Sequence, residues 1–98
     1  MKVRFTPSAR RQFLRAIEYV RQQNPLAAVR FNLRASKALR RLGPHPHSGR
    51  KIPEFPDFAH REIVVPPYRF FYRTEAKIIW IVAVWHDARL PDAPKDDD

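Results

Sequence analysis

Arg69, His86 and Glu54 are the residues of this chain whose types suit chemistry on a phosphodiester, with Arg61, Tyr72, Arg73 and Arg89 around them. Cleaving RNA by attack of its own 2′-OH needs a base near that hydroxyl, a cation at the phosphorane and an acid at the leaving 5′ oxygen. Guanidinium presents paired donors matched to phosphate oxygens, which suits Arg69 to the phosphorane. Histidine exchanges a proton near neutral pH, which suits His86 to the acid or base role, and Glu54 is a candidate base. Arg61 and Arg89 would hold flanking phosphates, Tyr72 would stack or donate a hydrogen bond, and Arg73 extends the same charge set. Ordinary roles are open to each: core packing for Tyr72, loop solvation for Glu54, a sheet-end cap for His86, and pairing with Glu62 or Asp57 for Arg61. Arg69 is the hardest to explain away, because a charge in an apolar strand is costly unless something anionic meets it. The anion expected from the sequence is an RNA or DNA backbone.

The elements that must position these residues follow from local pattern. Lys2 to Phe5 alternates basic and apolar residues and reads as a short strand. Thr6 and Pro7 supply a cap followed by proline at the first helical position. Ala9, Phe13, Ala16, Ile17 and Val20 then keep a helical period to about Asn24. Asn24 and Pro25 repeat the start signal for a second helix, which buries Ala28, Phe31, Ala35, Ala38, Leu39 and Leu42 and stops at Gly43. Two amphipathic helices joined this tightly make a helical hairpin. The proline-rich stretch from Pro44 to Pro56 is a loop with a short edge strand near Arg50 to Pro53. Ala59 to Val65, Tyr68 to Thr74 and Lys77 to Trp85 read as consecutive antiparallel strands, the last buried on both faces. The expected fold is α+β: an N-terminal strand and a two-helix hairpin packed on a twisted antiparallel sheet.

Ninety-eight residues make one domain with a single modest core, assigned to residues 1–91, and residues 92–98 form an acidic tail expected to be disordered. Residues 1–91 hold 18 bases against 6 acids, a net of +12, which favours an anionic partner. Cysteine is absent, so disulfides and thiolate ligands are excluded. His45 and His47 stand without a second pair, so no metal and no cofactor is expected. Two glycines cannot build a phosphate-cradling loop, and no serine sits in a nucleophile elbow. No apolar run is long enough for a signal peptide or a membrane span, so a cytoplasmic protein with no membrane partner is expected.

In order along the chain, FTPSARRQFLRAIEYV, QQNPLAAVRF, SGRKIPEF, REIVVPPYRFFYR and IVAVWHDARLP resemble the RelE/ParE superfamily of toxins from type II toxin–antitoxin modules, also called plasmid stabilisation proteins. The resemblance covers residues 3 to 91. It implies a helical hairpin on a twisted antiparallel sheet and neutralisation by a cognate acidic antitoxin. Tyr68-Arg69 matches the Tyr-Arg pair of RelE-like members, which cut mRNA on the ribosome without a metal and so inhibit translation. Glu54 and His86 lie near the glutamate and histidine of YoeB-like relatives. His60 and Glu62 stand where RelE carries lysines, and no tyrosine follows Arg89. The first helix and the NPLAA turn are closer to ParE, whose members poison DNA gyrase and are not nucleases. The Tyr-Arg pair tips the reading toward a ribosome-dependent mRNA endoribonuclease, with a ParE-like gyrase poison as the alternative.

Overall fold

The computed structural model describes residues 1–88. Arg89 and the acidic segment 92–98 lie outside the described residues. Strand β1 (Lys2–Phe5) leads into helix α1 (Pro7–Gln23), where the Thr6 hydroxyl accepts the Ala9 N–H at 3.2 Å. Asn24 ends α1 and caps α2 (Pro25–Leu42) in the same way, accepting the Ala27 N–H at 3.1 Å. Both helices therefore begin with a side chain satisfying one of the orphan amides of the first turn. Gly43 ends α2, as expected, in a right-handed conformation, and close approach of the N-terminus requires a residue without a side chain there. A β-carbon there would lie 2.9 Å from the Met1 carbonyl oxygen.

Strands β2 (Arg50–Lys51), β3 (Arg61–Val65), β4 (Tyr68–Glu75) and β5 (Ile78–His86) complete a five-stranded sheet of order β1-β5-β4-β3-β2. β2 to β5 pair antiparallel as expected, but β1 runs parallel to β5, with Lys2 opposite Ile78 and Phe5 opposite Ile81. The sheet is therefore mixed. The edge strand is two residues long because the chain turns away at Pro53. Pro66 and Pro67 form the β3–β4 turn, which fixes Val65 opposite Tyr68.

The helices cover one face of the sheet. Ala9, Ala16, Phe31, Ala35, Leu39 and Leu42 meet Tyr68, Phe70, Tyr72, Ile79, Ile81 and Val84 there. A second, smaller cluster on the opposite face joins Ile52 to Phe71, Val82 and Ala83, with Phe55, Trp80 and Trp85 against it. Register slips by one residue between Phe71 and Tyr72, leaving Val82 without a partner in β4. This bulge lets Val82 and Ala83 both face the second cluster. No helix among the described residues is long and apolar enough to cross a membrane.

Candidate functional site

Alternation along β4 decides which residues can act together. Tyr68 and Phe70 point toward the helices, so Arg69 and Phe71 point to the other face, where the Arg69 guanidinium sits 5.1 Å from the centre of the Phe71 ring. Arg69 is 4 % exposed. The turn after Ile52 presents Glu54 to it, because Ile52 and Phe55 on either side are packed against this face. The Glu54 carboxylate accepts two hydrogen bonds from the guanidinium, NH1 to Oε2 at 2.9 Å and NH2 to Oε1 at 2.7 Å. Glu62, 1 % exposed, accepts from Nε at 2.8 Å and NH2 at 2.5 Å through its Oε1. Its other oxygen takes the Arg50 Nε at 2.5 Å. Two guanidinium groups and two carboxylates thus close a neutral network, in which the paired-donor geometry of arginine is met by side chains of the same chain.

The electrostatics follow from these contacts. Hydrogen bonds from Arg69 hold the Glu54 carboxyl below the usual carboxylate range, against an opposing effect of desolvation. Hydrogen bonding to Glu54 raises the Arg69 pKa, with desolvation acting against it and Glu62 reinforcing it. The cost of a buried charge, which from the sequence called for an external anion, is met internally.

His86 lies on the opposite face of the sheet. It pairs with Tyr68 across β4–β5, meets that ring edge-on at a centroid distance of 5.2 Å, and accepts the Ala88 N–H at Nδ1, 3.0 Å away. Burial raises the Tyr68 pKa. The structure brings Arg69 and Glu54 together and separates His86 from both by the thickness of the sheet. Tyr72, expected at an RNA surface, is 1 % exposed in the helix-side core, and burial raises its pKa. Its hydroxyl donates to the Pro46 carbonyl at 2.8 Å and accepts the Gly49 N–H at 3.0 Å, so it holds the 46–49 loop. Arg61 stands opposite Tyr72 and donates to the Gly49 carbonyl at 2.9 Å. Arg73 shares the Arg69 face and pairs with Glu75 at 2.5 Å. Arg89 lies outside the described residues. No group of three histidines, aspartates or glutamates among the described residues is placed to hold a metal ion.

Glu62 and Arg50 were missed as partners of this site. The signal for Glu62 was present: a Pro-Pro turn sets Val64 opposite Arg69, which makes Glu62 its diagonal neighbour, within reach of long side chains. Arg50 had no such signal, since its position depends on where the loop rejoins the sheet.

Residues 3–91 match the family model described as ParE toxin of type II toxin-antitoxin system, parDE. The chain is 38 % identical over 74 residues to Toxin RelE2 of Caulobacter vibrioides, covering 74 % of this chain and 80 % of that protein. The fold is similar to a solved chain of the chromosomal ParDE system from P. aeruginosa, with a TM-score of 0.69 at 16 % identity, covering 88 % of this chain and 95 % of that one.

Proposed function

The chain belongs to the ParE toxin family within the RelE/ParE superfamily of type II toxins, and from that premise we propose that it acts as a non-enzymatic, ParE-like poison of DNA gyrase. Family membership implies a cognate antitoxin. The observation that carries the choice of mechanism is the state of Arg69: a guanidinium that is buried and doubly paired has no donor pair to offer a phosphorane. His86 lies on the other face, and Glu54, the acid–base candidate beside Arg69, has both carboxylate oxygens engaged by that guanidinium. In this reading Arg69 and Glu54 serve instead to fasten the 50–55 loop to the sheet. Such a protein exerts its effect by binding and trapping its target.

The test supplies purified protein to two systems in parallel. Incubated with gyrase and plasmid DNA, it should accumulate gyrase-linked double-strand breaks. Incubated with programmed ribosomes, it should leave the message intact. Message cut within codons on the ribosome, with no gyrase-linked breaks, would overturn the proposal and reinstate the ribosome-dependent endoribonuclease.

A further inference from the structure

Between α1 and the end of the β4–β5 pair the described residues leave a cleft of about 360 Å³, which the gyrase reading does not use. Gln12, Arg15 and Tyr19 line one side of it, their three- and four-residue spacing placing them on one face of α1. Tyr68 and His86, paired across β4–β5, line the other. Tyr68 is 7 % exposed, yet among the described residues its hydroxyl has no hydrogen-bond partner. A buried hydroxyl in that state is costly unless something in the cleft meets it.

The polar groups around the cleft are set as donors. The Gln12 Oε1 accepts the Val84 N–H at 2.8 Å, so the polar group left to that amide is its NH2. The His86 Nδ1 accepts the Ala88 N–H at 3.0 Å, so the neutral ring carries its proton on Nε2. Burial, reinforced by Tyr19, raises the Tyr68 pKa and keeps that hydroxyl protonated. Arg15 has no ion-pair partner among the described residues, and none of those lining the cleft is acidic.

We propose that this cleft binds a small phosphomonoester carrying a planar ring, the phosphate meeting Tyr68, His86, Gln12 and Arg15 and the ring stacking on Tyr19. Donors from four side chains exceed what the two oxygens of a carboxylate take up and suit the three terminal oxygens of a phosphate. A bare phosphate ion would leave most of the volume empty and the half-exposed Tyr19 ring uncovered. The cleft lies on the helix side of the sheet, away from the Arg69–Glu54 network, so the inference stands apart from the choice of mechanism.

The probe is adenosine 5′-monophosphate, titrated into the full chain by isothermal titration calorimetry at near-physiological salt. It should saturate a single site, with adenosine and inorganic phosphate each binding about tenfold or more weakly. Tyr68→Phe should raise the Kd about tenfold or more, the scale of one hydrogen bond to a charged group. In the unliganded protein the same substitution should leave the thermal midpoint unchanged or higher, because the deleted hydroxyl has no partner there. Arg15→Gln should weaken binding similarly, whereas Lys37→Gln, which removes an equal charge from α2 outside the cleft, should leave the Kd unchanged. Absence of saturable binding would overturn the proposal, as would a Tyr68→Phe variant that melts lower and binds as wild type does. Equal weakening by the two charge variants, or equal affinity for phosphate and the nucleotide, would indicate an adventitious ion only and overturn it too. Because the assay contains neither gyrase nor ribosomes, its failure is separable from failure of the gyrase reading.

Discussion

Arg69 is surrounded by two carboxylates, and removing it would leave the buried Glu62 with Arg50 as its remaining cation and its Oε1 unmatched. Deleting one partner of a buried pair typically costs about 3–5 kcal/mol, and the retained Arg50 contact places this case toward the lower end of that range. Arg69→Ala should therefore lower the urea midpoint by an amount corresponding to that range, and Arg69→Met combined with Glu62→Leu should regain much of it. An unchanged midpoint for the single variant would show that the network is not structural. Loss of toxicity in Arg69→Ala is accordingly interpretable only beside its unfolding curve. The sequence does expose the problem this residue creates, a charge in an apolar strand, but not its solution. Which anion meets Arg69 depends on Glu54, fifteen residues away, arriving by a loop whose path is set by burial of Ile52 and Phe55.

Among the elements, those governed by local rules are legible in the sequence: Thr6-Pro7 and Asn24-Pro25 fix both helix starts, and apolar periodicity gives both buried faces. The 44–50 loop is not legible, because its shape is imposed by one core hydroxyl. Tyr72 reaches up between Pro46 and Gly49, and a β-carbon at Gly49 would lie 2.5 Å from that hydroxyl oxygen. Gly49→Ala should push the loop off the sheet and break both hydrogen bonds, destabilising the fold by roughly 1–3 kcal/mol, the scale of overpacking a core position. Tyr72→Phe in the same background should not restore stability, because the ring carbon Cε1 and the Glu62 carbonyl oxygen would still lie 2.6 and 2.7 Å from the added β-carbon. Absence of any difference between Gly49→Ala and wild type in thermal melting would contradict this reading of the loop. The parallel placement of β1 is equally invisible locally, since Lys2 to Phe5 alternates as it would in either direction.

Across the whole molecule, charge is uneven: Arg50 and Arg69 on the sheet are met by Glu54 and Glu62, whereas the hairpin carries nine basic residues and one acid. Self-repulsion among the hairpin cations opposes compactness and is screened within a Debye length of about 10 Å at 0.1 M salt. The thermal midpoint should rise between 20 and 300 mM sodium chloride, whereas a fall would mean that the ion-pair network outweighs the repulsion. The sheet itself has a history that its finished form conceals. β1 is the first strand to be synthesised and its partner β5 the last, with 76 residues separating Lys2 from Ile78. At about 5–20 residues per second, roughly 4–15 s pass between them on the ribosome. During that interval the nascent chain can coil its helices but cannot close its sheet, because the strand that separates β1 from β4 has not yet been made.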